Sequence, residues 1–213
     1  METLIPEALQ AYMDRLVSPL PDLLQEIETY TRAHHPEAHM LSGAQQGQFL
    51  SMISQMIRPR RILEIGTFTG YSALCLASGL TEYGQLYTIE AREADAGLAQ
   101  SFFDRSSFRD RIRLLIGDAR TILHSLNECW DLVFLDADKT SYIEYFNTLL
   151  PKVRPNGFIL ADNIFFRGQV LVDPVKGKNA KAMLDFAKHV RDCDQVEQVP
   201  VPLRDGLMLI RKK

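Results

Sequence analysis

Apolar residues recur at helical spacing through the opening segment of the chain and then change texture. Pro6 opens a run carrying Leu9, Met13 and Leu16, the stripe of an amphipathic helix, and Ser18-Pro19-Leu20-Pro21 breaks it. A second helix is expected over 22–33, stopped by His34-His35-Pro36. A loop follows through Met40-Leu41-Ser42-Gly43, and a third helix is expected over 48–57 with Phe49, Leu50, Ile53 and Met56 on one side. From Arg61 onward, short apolar runs alternate with helical segments, the pattern of a parallel sheet covered on both faces. The expected strands are 61–65, 85–89, 112–116, 132–135 and 158–160, with helices at 71–79, 94–104, 119–126 and 142–150 between them. After a helix over 178–191, two further strands at 195–199 and 207–211 are joined by Pro202-Leu203-Arg204-Asp205-Gly206, where Asp-Gly suits a tight turn. No repeat or linker interrupts the pattern. One α/β domain is therefore expected over 1–213, with a helical cap at 1–58 and an α/β core at 59–213.

Composition narrows the classes. At 46% hydrophobic and 24% charged residues, the 213-residue chain is neither disordered nor fibrous and is long enough to bury a core. A net charge of −3 provides no overall cationic field for a polyanion. The longest stretches without a charge, such as 65–81, contain Gly, Ser and Thr and fall short of the apolar run a membrane span needs. The N-terminal Met-Glu-Thr-Leu-Ile-Pro-Glu lacks the pattern of a secretory leader, so a cytoplasmic location is expected. Cys75, Cys129 and Cys193 are odd in number and far apart, which suits neither a disulfide framework nor a thiolate zinc site. His34, His35, His39, His124 and His189 show no metal-ligand spacing.

The chemistry gathers where strands end. Ligands of an open α/β sheet sit at the carboxyl edge of the strands. There Glu64-Ile65-Gly66-Thr67-Phe68-Thr69-Gly70-Tyr71-Ser72 runs from a strand through a glycine turn into a helix. Gly66 would let the backbone pass close to a ligand, and Gly70 would permit the tight turn into the helix. The Gly-x-x-x-Gly spacing departs from the dinucleotide fingerprint, and a simple structural turn is the alternative. Glu90, 24 residues after Gly66, lies near the spacing at which a carboxylate meets ribose hydroxyls; a solvated charge near a helix start is its plain alternative. Asp118 fits equally well as a helix N-cap or as a contact to a cofactor's base.

Two neighbouring strands then end in acidic or amide oxygens, at Asp136-Ala137-Asp138-Lys139 and at Asp162-Asn163. Each Asp alone could be a helix cap. Together, like charges at adjacent strand ends repel unless a cation lies between them, and an oxygen-only donor set suits Mg²⁺, with Mn²⁺ or Ca²⁺ as substitutes, better than zinc.

Glu-Ile-Gly-x-x-x-Gly-Tyr-Ser at 64–72, Leu-Asp-Ala-Asp-Lys-x-x-Tyr at 135–142, Leu-Leu-Pro-x-Val-Arg-Pro-x-Gly at 149–157 and Asp-Asn at 162–163 together resemble the metal-dependent class I O-methyltransferases, S-adenosylmethionine enzymes that include catechol and caffeoyl-CoA O-methyltransferases and small bacterial relatives. The resemblance runs from about Met40 to the C-terminus. It implies a Rossmann-like, seven-stranded, mostly parallel sheet with helices on both faces, the last strand antiparallel. By position it makes Asp136, Asp162 and Asn163 metal ligands and Lys139 the general base. Glu64, Gly66, Phe68, Ser72, Glu90 and Ala119 would line the cofactor, with Met40 to Ser42 closing over its methionine end and Asp136 meeting its amino group. Homodimers, through the N-terminal helices, are also implied.

Departures from the family concern the acceptor. Phe166 stands where many relatives carry a Trp wall, beside Arg167, and Gln45-Gln46 replaces an acidic pair of plant relatives. The segment 164–181 carries Arg167, Lys176, Lys178 and Lys181 against Asp173, a local charge of +3, which suits either an anionic handle on the acceptor or a solvated loop. The expected reaction is methylation of a vicinal hydroxyl on a catechol-like or phenylpropanoid small molecule. The alternatives are a tRNA wobble hydroxyuridine as acceptor, or, in another class, a nicotinamide-dependent oxidoreductase or a non-catalytic cofactor-binding protein.

Overall fold

The structure, a computed structural model, describes residues 5–213. The opening Met1 to Leu4, on which the reading of the N-terminal leader partly rests, lies outside the described residues. Seven strands form one sheet: β1 (Arg61–Ile65), β2 (Gln85–Glu90), β3 (Ile112–Ile116), β4 (Trp130–Leu135), β5 (Val153–Asp162), β6 (Val196–Val201) and β7 (Leu207–Lys212). Their order is β3-β2-β1-β4-β5-β7-β6. The first five run parallel, and β7 pairs antiparallel with both β5 and β6. The helices are α1 (Glu7–Leu16), α2 (Asp22–His34), α3 (Gly43–Ile57), α4 (Tyr71–Ala77), α5 (Glu93–Phe103), α6 (Ala119–Ser125), α7 (Tyr142–Leu149) and α8 (Lys178–Arg191). No helix among the described residues is long and apolar enough to cross a membrane.

Alternation along the central strands divides the core in two. Leu63, Ile65, Val133, Leu135 and Ile159 face one side, where Phe146 of α7 and Met183, Phe186 and Val190 of α8 cover them. Ile62, Leu132, Phe134 and Leu160 face the other, under Ile27 of α2, Leu50 of α3, Leu74 of α4 and Phe103 of α5. A strand buried on both faces must be apolar at consecutive positions, which is why these runs stand out in the sequence.

Two elements differ from expectation. β5 begins at Val153, upstream of the expected 158–160, because Val153 pairs with Trp130 and the register then shifts before Leu132 meets Phe158. Pro155-Asn156-Gly157 forms this irregularity, with Asn156 at a φ of 61°. α3 begins at Gly43 and buries Gln46, Gly47, Leu50, Ser51 and Ser54. Phe49 and Ile53 are only half-buried, and Met56 is exposed. The expected apolar side is therefore divided: Leu50 enters the core, Phe49 and Ile53 lie at its margin, and Met56 faces out. The reason is close packing on α4: a Cβ at Gly47 would stand 2.7 Å from the Tyr71 ring, and the Ser54 hydroxyl donates to the Leu76 carbonyl.

The sheet's carboxyl edge is held in register past the strand ends. The Asp136 N–H donates to the Ile65 carbonyl at 2.9 Å, Gly66 to Ile89 at 3.0 Å and Gly117 to Glu90 at 2.8 Å. The exit from β1 thus lies against the exit from β4, and a Cβ on Gly66, whose φ is +102°, would stand 2.0 Å from the Asp136 carbonyl oxygen. Replacement Gly66→Ala should destabilise the protein by about 2–4 kcal/mol, combining backbone strain with a displaced strand end, read as a lower urea midpoint at unchanged slope.

Candidate active site

Leu135 of β4 pairs with Ala161 of β5, so the next residues, Asp136 and Asp162, emerge side by side. After Asp136 the chain makes one 3-10 turn, Lys139–Ser141, before α7. That turn returns Lys139 over Asp136: its Nζ donates to Asp136 Oδ1 at 2.8 Å and to Tyr142 Oη at 2.9 Å. The Tyr142 hydroxyl in turn donates toward the carbonyls of Leu135 (2.9 Å) and Asp162 (3.2 Å), tying both strand ends together. Asp138 stands at the N-cap position of this turn without a side-chain cap bond, and the Thr140 and Ser141 hydroxyls donate to its Oδ2.

Asp162 is 2% exposed. Its Oδ1 accepts from the Asn163 N–H at 2.8 Å and its Oδ2 from Gln46 Nε2 at 2.9 Å. Burial and the Asp136 charge push its carboxyl up to about 6, against the opposing pull of Lys139, Gln46 and Arg204. Burial pulls Lys139 down, but the Asp136 and Asp162 carboxylates outweigh it and hold the ammonium well above its ordinary range. Asn163, at a φ of 62°, donates its side-chain N–H to Asp205 Oδ2 at 3.4 Å, which leaves its amide oxygen uncommitted. Among the described residues no three His, Cys, Asp or Glu side chains converge as a metal cluster. The set here is two carboxylates and an amide, crowded enough in negative charge to fit a hard divalent cation.

On the other side of β1, Glu90 ends β2 almost buried. Its Oε2 accepts from the Phe68 N–H at 2.8 Å and its Oε1 from the Arg92 N–H at 3.0 Å. Glu64 is wholly buried beneath α4, where the Thr88 hydroxyl donates to its Oε2. Burial pushes its carboxyl up to about 8, opposed by hydrogen bonds from Ser72 and Thr88. Gly66 has a neighbour that its motif does not show: a Cβ there would meet the Asp136 carbonyl, so its lack of a side chain also serves the junction of two strands. Gly70, at a φ of +85°, turns the chain into α4 as expected, with the Phe103 ring where a Cβ would be. Ser72 and Ala119 are buried, and Phe68 is half-buried. Asp118 is the N-cap of α6, accepting from the Arg120 N–H at 2.9 Å, and it is exposed and paired with the Arg120 guanidinium.

The N-terminal helices dock on this loop. Met40 ends a 3-10 turn, Ala38–Met40, with its side chain exposed, and Ser42 is buried just before α3. His35 sits edge-on to the Phe68 ring at 4.6 Å. Its Nδ1 accepts from the Glu37 N–H at 3.0 Å, so Nε2 carries the proton and donates to Asp95 Oδ1 at 2.9 Å. At the acceptor side, Phe166 is half-buried and Arg167 exposed, both with left-handed backbone, and the Arg167 N–H donates to Asp205 Oδ1. Lys176, Lys178 and Lys181 are exposed.

The O-methyltransferase family profile matches residues 15–213. The chain belongs to this family. As the sequence resemblance implied, it is an S-adenosylmethionine-dependent enzyme with the class I methyltransferase fold. It is 31% identical over 216 residues to caffeoyl-CoA O-methyltransferase 2 of Zea mays, covering 95% of this chain and 81% of that one. It is 36% identical over 174 residues to the catechol O-methyltransferase of Niastella koreensis, covering 77% of this chain and 78% of that one. Among solved structures, an SAH-bound methyltransferase of Podospora anserina superposes with a TM-score of 0.90 at 28% identity over 100% of both chains. An O-methyltransferase from Bacillus cereus in complex with SAH gives 0.89 at 29% identity over 97% of each.

Several residues of this O-methyltransferase's site were not singled out from sequence. Tyr142 closes the Leu-Asp-Ala-Asp-Lys-x-x-Tyr motif, yet nothing in the spacing says that it fastens Lys139. Gln46 appears in sequence only as a departure from plant relatives, and Asp205 only as half of a turn. Their roles depend on contacts across 116 and 42 residues of chain. His35 had no reading beyond a surface or core histidine.

Two outcomes follow for the cofactor-free methyltransferase. A carboxyl raised in the fold favours the native state below its unfolded value and loses that stabilisation as pH rises through the folded one. Stability should therefore fall from about pH 4.5 to about 8, and the fall should be smaller in Glu64→Gln, as followed by thermal melts across pH. Removing the His35 ring by His35→Ala should cost about 1–2 kcal/mol in urea unfolding, since Asp95 keeps its pairing with Arg92.

Proposed function

We propose that this methyltransferase transfers the S-adenosylmethionine methyl group to one hydroxyl of a vicinal pair on a catechol-like or phenylpropanoid small molecule, with a divalent cation, Mg²⁺ before Mn²⁺ or Ca²⁺, held by Asp136, Asp162 and Asn163. The observation that carries this reading is the side-by-side emergence of Asp136 and Asp162 with the Lys139 amine hydrogen-bonded to the first of them. When bound, such a cation supplies a Lewis acid that favours the ionised form of a phenol. Lys139 Nζ is the group that takes up the phenolic proton. Burial favours its neutral amine and the two carboxylates favour its ammonium, so its proton load follows their charge. Tyr142 keeps Nζ in place, and Gln46 keeps Asp162 from turning away. Methyl transfer is then a direct displacement without a covalent enzyme intermediate, and its rate rests on alignment.

In this reading Glu90 binds the cofactor's ribose, Asp118 and Ala119 lie at its base, and Glu64, Gly66, Phe68 and Ser72 form the turn beneath it. Met40 to Ser42 close over the methionine end. Phe166 supplies an apolar wall to the acceptor, with Arg167 at the rim. The outward apolar face of α3, with Tyr12 and Leu16 exposed on α1, supports a homodimer through the N-terminal helices, and the three free cysteines suit a cytoplasmic location.

Labelled S-adenosylmethionine, a panel of catechols and hydroxyuridine-containing tRNA, each with Mg²⁺ or with EDTA, test the reading. Transfer to a catechol that EDTA abolishes is expected, as is a loss of about 10²–10⁴-fold in kcat for Lys139→Met. Transfer undiminished by the chelator would remove the cation from the account. Transfer to tRNA alone, weakening steeply with salt, would replace the small acceptor.

A further inference from the structure

One cationic side chain near the candidate metal ligands has no carboxylate of its own. Arg204 lies in the connection between β6 and β7, half-buried, and its Nη1 donates to Gln46 Oε1 at 3.0 Å. Gln46 donates its Nε2 to Asp162 Oδ2 at 2.9 Å. Gln46 is fully buried, so its amide cannot turn to solvent. A flipped amide would set oxygen against carboxylate and nitrogen against guanidinium, two repulsive pairs in place of two attractive ones. The Gln46 orientation is thereby fixed, and with it the near end of the guanidinium.

The rest of the guanidinium is free to act. Of the five N–H donors in its planar fork, the hydrogen bond to Gln46 uses one, and Arg204 forms no ion pair among the described residues. Asp205, its chain neighbour, is occupied on both oxygens, by the Arg167 N–H and by the Asn163 side chain. Asp162 senses the Arg204 charge only across the Gln46 amide. The backbone at Arg204 has a φ of 50°, and Asn163 and Arg167, bound to the same Asp205, have φ values of 62° and 54°. Non-glycine residues adopt that region when their surroundings compel it, and such residues cluster at ligand sites.

Charge balance points the same way. Asp136 and Asp162 together carry the charge that one divalent cation would neutralise, so with the cation bound the Arg204 guanidinium is left without a counter-charge. A catechol whose phenolic proton passes to Lys139 leaves the net charge of the site unchanged and does not supply one. The exposed Lys176, Lys178 and Lys181 are solvated point charges, whereas a half-buried guanidinium matches a carboxylate bidentately.

We propose that Arg204 is an acceptor-recognition residue, and that the acceptor bears a carboxylate, besides its vicinal hydroxyls, which the Arg204 guanidinium holds. The inference rests on the reading of Asp136, Asp162 and Asn163 as the acceptor's metal site. A residue that merely balanced Asp162 through Gln46 would change the rate for every acceptor alike, so the test compares two acceptors of one shape. These are 3,4-dihydroxybenzoate and its neutral amide, assayed with saturating S-adenosylmethionine and Mg²⁺.

The wild type should prefer the carboxylate in kcat/KM by about tenfold or more, mainly through KM. Arg204→Met should bring the two to near parity, and Arg204→Lys should retain part of the preference because an ammonium lacks the fork. Arg204→Gln keeps an N–H donor for Gln46, so it should recover the rate common to both acceptors while the preference stays lost; SAH binding by calorimetry checks that each variant is folded. Equal use of both acceptors by the wild type, or a preference that survives Arg204→Met, overturns the role of Arg204 alone. Transfer to neither acceptor, or transfer to both that ignores EDTA, overturns the underlying reading of the site as well.

Discussion

Two carboxylates emerging from adjacent parallel strands at the same level of a buried sheet repel each other, and the surroundings of the site answer that repulsion. Asp136 is met by the Lys139 ammonium and Asp162 by the Gln46 amide and its own neighbour's N–H. Each compensating group comes from a different part of the chain. Lys139 is supplied by the turn just beyond β4 and Gln46 by the N-terminal helical cap, while the β6–β7 connection backs Gln46 through Arg204. The cap and the C-terminal hairpin are thus drawn to the sheet edge by charge as well as by apolar packing. A buried Asp162 beside a half-buried Asp136, lacking this surround, would cost more than the local core could offset.

Sheet order and donor turn share a logic. β1 occupies the middle of the sheet, between β2 and β4, so its carboxyl end is flanked by Glu90 on one side and Asp136 on the other. The loop from Gly66 to Gly70 crosses this point, and Glu90 holds it through the Phe68 N–H. His35 then seats the α2 terminus on the same phenylalanine while its second nitrogen holds the next turn of chain, the one that leads to Met40 and Ser42. Family membership and this layout agree, because Glu90, Asp136 and Asp162 all stand at the carboxyl ends of β2, β4 and β5.

What could be read from the sequence was whatever repeats at short range. The strands at 61–65 and 112–116 and the helix over 178–191 coincide with the observed elements, because a run buried on both faces, or a stripe with a period near four, is local. The paired strand ends at Asp136 and Asp162 were also legible, since both apolar runs stop at the acidic residues that follow them. The inward side of α3 was not. A helix that packs through Gln46, Gly47, Ser51 and Ser54 around a single Leu50 looks polar on that side in sequence, while Met52 and Met56 point outward. Nor could the packing role of Gly66 be read, because the atom that excludes a side chain there belongs to a residue 70 positions later.

That last contact has a consequence for how acceptor preference can drift in such a scaffold. Because the Gly66 turn and the turn bearing Asp136 are stacked backbone on backbone, a displacement of one carries the other with it. In the proposed reading this couples donor to acceptor anchor, so the distance between the reacting atoms is insulated from change elsewhere. Variation would then accumulate in the peripheral hoops, around Phe166 and around Arg204, reshaping what is admitted without detuning the transfer itself.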